Sequence, residues 1–420
     1  KSQKSSCQSR GRQGCGRASQ GQGEDQSASA QVESRLIIRM EGSPADLFHP
    51  ANAAPAATYR LLGADASYYT AKISAYLRYK RIPHHNVLAT RAVFAQTILP
   101  RVGWPVIPVL LTPDNLALQD TSEMFDYLEA RHPNPPTLPA DAVGQFLSYW
   151  LELCCDEWLK LPALHYRWHY DNDFAVMEFG RNNDPTLPLE RQRALGEKIA
   201  TRFRGWREQL GINAHTIPAI EAGYHALLAR LDAHFAVSDY LLGAAPTLAD
   251  FALYGPLHAH LYRDPNAGRI LKTQAPQTVR WIHRMGTPPA VGTLAATTSP
   301  APTLWPILQM LAHDYVPVLV AQVAALQAWL GSHSALDIPP TLGSHRFTLG
   351  AGTADEVIGE RCLFTYDYWM LQRALQVWAQ ANLAQRDLIT ALCERMGAEA
   401  LLTLPSAPLV RREQFKLRRA

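Results

Sequence analysis

The sequence predicts an α/β domain at residues 58–133, an all-α domain at residues 141–286 and a mostly helical C-terminal extension at residues 304–420. Three observations support this order. Short apolar runs typical of buried strands alternate with helical patterns in the first part. Helical periodicity prevails in the rest of the chain. Two proline-rich connectors, at residues 132–140 and 287–303, separate the three parts.

Composition fits a soluble protein with a large core. The chain has 420 residues, which suits two or three domains. Nearly half of the residues are hydrophobic and fewer than a fifth are charged. The net charge of +3 comes from the first 39 residues, which hold seven Lys or Arg and three acidic residues. We therefore expect no nucleic-acid-binding face on the folded body.

Residues 1–57 are expected to form a disordered tail. The first 30 residues are rich in Ser, Gln and Gly and have almost no apolar side chains, so they cannot offset the entropy cost of ordering. Acidic residues and the lack of an amphipathic helix argue against a transit peptide. The interpretation that we favour makes Met40 the natural start and residues 1–39 upstream sequence.

Cysteine usage and hydropathy predict a cytoplasmic protein. None of the six cysteines forms C-x-x-C or has a His at metal-ligand spacing, which indicates a reducing compartment and no metal site. The longest apolar run, "YVPVLVAQVAALQAWL" at residues 315–330, contains Pro317 and two glutamines. It is short for a membrane span, so we expect a buried helix and no membrane association.

The α/β domain has a clear element order. A strand at residues 58–62 leads to a helix at 69–80, and "RIPHHNVLA" offers a second strand. The apolar run at 106–111 and a short strand before Asp120 come next. A helix then starts near Asp120 and ends before residue 133. Further helices are expected at about 141–168, 189–210, 217–235, 247–262, 275–285, 304–332, 366–382 and 384–398, with a glycine-rich loop before the last two. The basic end, "LVRREQFKLRRA" at residues 409–420, is expected to be solvated.

Four motifs stand at the junctions of these elements. "SYYTAK" places Ser67 between a strand and a helix. "VIPVLL" places Pro108 in an apolar run, although proline removes a ladder hydrogen bond. "QDTSEMFDYLE" places Asp120 and Thr121 at a helix start, where either residue could simply be an N-cap. "PTLADFALYGPL" has the spacing of a capping box, with Thr247 three residues before Asp250. The last motif indicates folding, not catalysis.

Together the four motifs resemble the glutathione S-transferase superfamily over about residues 58–285. The resemblance implies a thioredoxin-like N-terminal domain that binds glutathione, followed by the all-α C-terminal domain of these transferases. It implies that Ser67 is the catalytic residue of the turn. It also implies a cis Ile107–Pro108 peptide, with the backbone of Ile107 on the cysteinyl part of glutathione. Asp120 would face the γ-glutamyl ammonium, and Thr121 would cap the helix and contact the carboxylate.

Two features depart from the superfamily pattern. Tyr68 stands where the turn usually has a proline, and the chain continues well beyond residue 290. These departures leave the transferase class unassigned.

Ser67 is suited to activating a thiol. A free thiol has a pKa near 8.5, and lowering it by about two units requires roughly 2.7 kcal/mol. A hydroxyl hydrogen bond to the thiolate supplies roughly 1.5–3 kcal/mol, and a helix N-terminus adds about 0.3–2 kcal/mol. Thr70 or Tyr69 could replace Ser67 as the donor. A further alternative is that Ser67 is only an N-cap.

The second substrate is expected at Tyr166, Trp168 and Tyr170, near the end of a long helix. By resemblance this helix end lines the electrophile pocket, and aromatic walls suit an apolar ligand. The alternative is that these rings only pack against the C-terminal extension.

The sequence therefore predicts a glutathione transferase-like enzyme that activates glutathione as a thiolate for attack on a small apolar electrophile. Glutathione is the expected substrate, and no metal is expected. The alternative is a non-catalytic module with the transferase fold, used for binding or as a scaffold. A homodimer follows from the resemblance alone, and the extension could block the usual interface.

Overall fold

The structure is a computed structural model that describes residues 48, 58–287, 294 and 299–420. Apart from Phe48, the predicted tail at residues 1–57 lies outside the described residues.

The first domain contains a mixed four-stranded sheet in the order β2-β1-β3-β4. Strand β1 pairs in parallel with β2 and antiparallel with β3, which pairs antiparallel with β4. This arrangement confirms the predicted thioredoxin-like domain. The elements are β1 (Tyr59–Gly63), α1 (Tyr68–Tyr79), β2 (His84–Leu88), an interrupted helix α2 (Arg91–Val93, Phe94–Ile98 and Leu99–Val102), β3 (Val109–Leu111), β4 (Ala117–Gln119) and α3 (Thr121–Arg131).

The apolar run at 106–111 is only partly a strand. Strand β3 begins at Val109, so Pro108 precedes it. The physical reason is that proline has no N–H to donate to the ladder. The Ile107–Pro108 peptide is cis, as predicted.

The second domain is all-α, as predicted. Its first long helix is interrupted by a π-helical segment, Cys154–Trp158. Sequence periodicity did not reveal two of its helices, α6 and α10. The elements are α4 (Ala142–Leu153), the π-helical segment, α5 (Lys160–His169), α6 (Asn172–Asn183), α7 (Leu189–Gln209), α8 (Ile217–Phe235), α9 (Leu248–Pro256), a second π-helical segment (Leu257–Tyr262), α10 (Pro265–Gln274) and α11 (Pro276–Gly286).

Two glycines explain how α6 and α7 pack so closely. A Cβ at Gly180 would lie 1.9 Å from the carbonyl oxygen of Gln192, and a Cβ at Gly196 would lie 1.9 Å from that of Val176. Only glycine therefore fits at these crossing points. The weak apolar pattern of α6 follows, because the backbone makes much of the contact.

The extension combines helices with two β-hairpins. The sequence indicated a glycine-rich loop and a solvated basic end where these hairpins lie. The elements are α12 (Trp305–Ser332), β5 (Thr341–Leu349), β6 (Val357–Phe364), α13 (Thr365–Gln380), α14 (Leu383–Met396), a short 3₁₀ helix (Glu399–Thr403), β7 (Val410–Glu413) and β8 (Lys416–Arg419).

Helix α12 contains the longest apolar run. By length and hydropathy it could cross a membrane, but 56% of its apolar window is buried inside the fold. Its Tyr315 stacks on Trp158 at a ring-centroid distance of 4.8 Å. Helix α12 therefore packs on the second domain as a core helix does.

Candidate functional site

The sheet register brings three predicted site positions to one edge. Ser67 follows the carboxyl end of β1, Pro108 precedes the amino end of β3, and Asp120 follows the carboxyl end of β4. Leu62 pairs with Val109, and Val109 pairs with Gln119. Because β3 is antiparallel to both neighbours, these three ends meet at the same edge. The β1–β3 register does not reach Ile107, so the main chain of Ile107 lies beyond the ladder.

Ser67 is the N-cap of α1. Its Oγ accepts a hydrogen bond from the Thr70 amide at 3.3 Å, and its own amide donates to the Ala64 carbonyl at 3.0 Å. The side chain is partly exposed. A hydroxyl that accepts one hydrogen bond can still donate another. The capping role therefore leaves the Ser67 proton available for a ligand.

Two of the three neighbouring hydroxyls, those of Tyr68 and Tyr69, already donate to main-chain carbonyls. Tyr68 donates to the Cys155 carbonyl, and Tyr69 donates to the Asp156 carbonyl at 2.9 Å. Thr70 is buried, and a Cβ at Gly63 would lie 2.7 Å from its Oγ1. Of the four hydroxyls at residues 67–70, the Ser67 hydroxyl is the one that is both partly exposed and free to donate.

Arg167 fixes the turn that carries Ser67. Its Nη1 donates to the Ala66 carbonyl at 2.8 Å, and its Nε and Nη2 pair with Asp264 at 2.6 and 2.7 Å. Burial raises the pKa of Asp264, and Arg167 opposes that rise. Nη1 also contacts His260 at 2.7 Å, and burial together with Arg167 holds the pKa of His260 well below its usual range. Sequence reasoning assigned no role to Arg167, whose partners are distant in the chain.

A buried charge cluster lies under α1. Lys72 Nζ contacts Glu152 at 2.7 Å and Asp156 at 2.6 Å. Burial opposes the charged form of Lys72, but Asp156 and Glu152 hold its pKa above the ordinary value. Burial also favours neutral Glu152, but Lys72 and Arg373 hold the pKa of Glu152 below its usual range. The cluster therefore joins the first domain, the second domain and the extension through ion pairs.

Asp120, and not Thr121, caps α3. The Asp120 carboxylate accepts from the Ser122 amide at 2.9 Å, and Thr121 is the first helical residue, with its side chain buried. Asp120 has a φ of 83°, a left-handed conformation that is strained for a residue with a Cβ. The predicted capping role of Thr121 is therefore wrong.

The extension contacts the predicted γ-glutamyl position. Arg412 Nη1 lies 2.8 Å from Asp120 Oδ2, and the Tyr366 hydroxyl donates to the same oxygen at 2.5 Å. Burial favours neutral Asp120, but Arg412 and Tyr366 hold the pKa of Asp120 below its usual range. The sequence interpretation placed Arg412 in a solvated terminus, but its side chain is only 6% exposed.

The three predicted pocket aromatics fall into two groups, because the rings of Tyr166 and Tyr170 lie 5.6 Å apart and Trp168 belongs to another cluster. Tyr166 is buried against Tyr224, with the ring centroids 5.1 Å apart. Trp168 is buried in a different cluster with residues of α6 and α7. Tyr170 is 49% exposed, and its hydroxyl donates to Glu221 at 2.8 Å. Tyr166 and Trp168 therefore serve two different cores and do not line one pocket.

A small apolar cavity lies between α5, α8 and α12. Its volume is about 40 Å³, and Ser67, Ile107 and Asp120 are not among its lining residues. It is lined by Trp158, Leu159, Leu161, Pro162, Ala219, Ile220, Gly223, Tyr224, Leu227, Met310, Leu311, Asp314 and Leu349.

Metal ligands do not gather in the described part of the chain. Among residues 58–287 and 299–420, no group of three or more His, Cys, Asp or Glu side chains could hold a metal ion.

Solved structures of glutathione S-transferases resemble the chain at low identity. One from Rhodospirillum rubrum F11 is 18% identical, with 60% of this chain and 91% of that chain covered and a TM-score of 0.37. One from Methylobacterium radiotolerans, in complex with glutathione sulfonate, is 23% identical, with coverages of 58% and 99% and a TM-score of 0.36. One from Methylobacillus flagellatus, with glutathione bound, is 20% identical, with coverages of 56% and 100% and a TM-score of 0.34. No match was found among curated proteins.

Family models match both of the domains described above. The glutathione S-transferase N-terminal domain matches residues 61–136, which include the sheet, Ser67 and Asp120. The glutathione S-transferase C-terminal domain matches residues 213–284. The capping box of the fourth motif is present, with Thr247 and Asp250 at the start of α9. Residues 61–136 and 213–284 are therefore identified as the N- and C-terminal domains of the glutathione S-transferase superfamily.

Proposed function

We propose that the chain is a glutathione transferase-like enzyme that activates glutathione as a thiolate for attack on a small apolar electrophile. The observation that carries this proposal is the Ser67 hydroxyl, which is partly exposed at the start of α1 with its proton available. The match of residues 61–136 and 213–284 to the N- and C-terminal domains of glutathione S-transferases supports it.

The proposed step begins with ionisation of the glutathione thiol, whose proton leaves to solvent. Ser67 donates its hydroxyl proton as a hydrogen bond to the thiolate, and the N-terminus of α1 adds a favourable dipole. The sulfur lone pair then forms a bond to the electrophilic atom, and the electron pair of the bond that breaks moves to the leaving group or to a neighbouring atom. Ser67 forms no covalent bond in this step.

The remaining contacts are proposals based on the shared edge of the sheet. The Ile107 main chain and Pro108 would meet the cysteinyl part of glutathione, and Asp120 and Thr121 would meet its γ-glutamyl end. For the electrophile, only Tyr170 of the three predicted aromatics has an exposed ring. A homodimer and a cytoplasmic location also stay proposals.

One variant tests the role of Ser67. We expect Ser67→Ala to lower the thiolate-dependent rate about ten- to a hundredfold at neutral pH, because a charged hydrogen bond is worth roughly 1.5–3 kcal/mol. The deficit should shrink as the pH rises, because the thiol then ionises without help. Pre-steady-state rates with a generic electrophile, measured over a range of pH, and an absorbance titration of the bound thiolate measure both effects.

The control separates donation from capping. Asn382→Ala removes another side-chain N-cap, the one that accepts from the Gln385 amide at 2.9 Å at the start of α14. It should cost stability without changing the pH–rate profile. Identical pH–rate profiles for the wild type and Ser67→Ala would show that Ser67 is not the hydrogen-bond donor to the thiolate.

A non-catalytic binding or scaffold module is the second candidate function. The contacts of Arg412 and Tyr366 with Asp120 favour it, because they engage the acid expected to bind glutathione. A wild-type protein that neither binds glutathione nor perturbs its thiol would establish this alternative.

A further inference from the structure

We propose that the C-terminal hairpin, formed by β7 and β8, is a built-in occupant of the γ-glutamyl subsite that glutathione must displace. This inference rests on the proposed function, because it concerns the same site. Three sets of contacts support it, and each involves a different residue of the extension.

The first set is the charge of Arg412. Its guanidinium lies 2.8 Å from Asp120 Oδ2, 2.8 Å from the Gln119 side-chain oxygen and 3.3 Å from Glu123 Oε1. A planar guanidinium with several donors is well suited to such a group of oxygens. Arg412 thus supplies a cation where the proposed function needs the ammonium of the ligand.

The second set consists of the contacts that Tyr366 and Trp369 make with Asp120 and Arg412. The Tyr366 hydroxyl donates to Oδ2 at 2.5 Å, and the Arg412 guanidinium lies 5.8 Å from the Tyr366 ring and 5.4 Å from the Trp369 ring. Helix α13, which carries both rings, therefore contacts Arg412 through Tyr366 and Trp369. Asp120 Oδ2 therefore has two donors from the extension, Arg412 and Tyr366.

The third set lies at the tip of the hairpin. Gln414 and Phe415 both have positive φ, 50° and 64°, which fits a two-residue hairpin turn. The Phe415 ring packs on the apolar cluster formed by Leu62, Val109 and their neighbours, against which Ile107 also packs. The hairpin therefore reaches from Asp120 towards the position proposed for the cysteinyl part of glutathione.

The base of the hairpin is attached independently of this site. The Arg419 amide donates to the Leu336 carbonyl at 3.0 Å, and Gln372 donates to the Val410 carbonyl at 2.9 Å. Loss of the Arg412 contacts would thus leave the hairpin attached to the rest of the extension. The ammonium of a γ-glutamyl group and the Arg412 guanidinium then compete for one carboxylate, which lowers the apparent affinity for glutathione.

The test compares the affinity of full-length variants for glutathione by calorimetry. Arg412→Gln keeps a polar side chain but removes the cation, and we expect about tenfold tighter binding than in the wild type. Tyr366→Phe removes the other donor to Asp120 and should shift the affinity in the same direction. Arg411→Gln is the matched control, because the Arg411 side chain is 52% exposed and pairs with Glu413 on the same strand.

Each outcome decides the inference. Tighter binding by Arg412→Gln or Tyr366→Phe, with Arg411→Gln unchanged, supports it, as does faster amide hydrogen exchange in residues 410–419 of the wild type when glutathione is added. Equal affinity for glutathione in the wild type and the folded variants overturns this inference but leaves the proposed function standing. Weaker binding also overturns it, since Arg412 would then hold the ligand. If no variant binds glutathione, the proposed function fails and the inference falls with it.

Discussion

Arg167 is a buried side chain that fixes the turn carrying the candidate catalytic residue Ser67. It joins Ala66, next to Ser67, to Asp264 and to the Ala259 carbonyl at distances of 2.6–2.8 Å. All these partners are buried or lie in the turn itself. The position of the Ser67 turn relative to the second domain therefore depends on this guanidinium.

Replacing Arg167 should cost both stability and activity. Arg167→Met leaves the buried Asp264 without its ion-pair partner, and we expect a loss of about 3–5 kcal/mol in the free energy of unfolding. The thiolate-dependent rate should fall as the turn shifts. Urea denaturation and the electrophile assay measure the two effects, with Arg202→Met on the exposed face of α7 as the control. An unchanged unfolding midpoint for Arg167→Met would contradict this role.

Residues in local motifs could be predicted, whereas residues with distant partners could not. Ser67, Pro108 and Asp120 stand at strand or helix ends, where sequence patterns are informative. The ionic partners of Arg412 and Arg373 lie more than 200 positions away in the chain. Nothing in a local pattern indicates such pairs, because tertiary packing alone creates them. Thr121 was misassigned as a cap because two adjacent residues both suit the N-cap position.

Among the elements, the π-helical segment Cys154–Trp158 has an unusual electrostatic environment. Its Cys155 and Asp156 carbonyls accept hydrogen bonds from Tyr68 and Tyr69, so the widened turn receives partners from α1. Burial raises the pKa of Asp156 to about 7 and that of Glu157 to about 8. Lys160 contacts Glu157 at 2.5 Å and opposes part of that rise.

The raised pKa of Glu157 predicts a pH-dependent stability. The folded state holds the Glu157 proton more tightly than the unfolded chain does. Protonation of Glu157 therefore contributes fully to the free energy of unfolding below about pH 4.5, and this contribution is lost as the pH rises through about 8. Glu157→Gln stays neutral. We expect its free energy of unfolding to match that of the wild type near pH 5 and to exceed it above pH 8. Urea denaturation measures both values.

The control for this effect is an exposed acid. Glu190→Gln, in the first turn of α7, should change stability little at either pH. A constant difference between Glu157→Gln and wild type from pH 5 to pH 9 would show that Glu157 titrates alike in the folded and unfolded states.

The elements that sequence reasoning missed share a cause. Strands β5 and β6 form an isolated two-stranded sheet, and their stability depends on contacts such as the packing of Phe347 in the main core. Glycines at 343, 350 and 352 made the region read as a loop. All three have positive φ, so they do mark turns or irregular backbone, but the residues between Gly343 and Gly350 are extended.

At the scale of the whole molecule, the extension shares a core with both transferase domains. One apolar cluster includes Leu61 of the sheet, Trp150 of α4, and Leu319 and Leu371 of the extension. Polar contacts reinforce it, since Arg373 joins α13 to Glu152 at 2.8 Å and to Asp126 at 2.6 Å. The proline-rich connectors mark boundaries in sequence, but the buried surfaces of the three parts are continuous.

A shared core predicts that residues 58–420 unfold as one unit. Calorimetry should show a single transition, and tryptophan fluorescence and far-ultraviolet circular dichroism should give the same urea midpoint.

Arg373→Gln removes the ion pairs from α13 to α3 and α4, leaving Glu152 with one fewer partner. It should lower the single midpoint without splitting the transition, because the apolar contacts between the extension and α4 persist. Arg346→Gln, on the exposed side of β5, should leave the midpoint unchanged. A separate early transition that is lost when residues 304–420 are removed would show that the extension folds independently of the transferase domains.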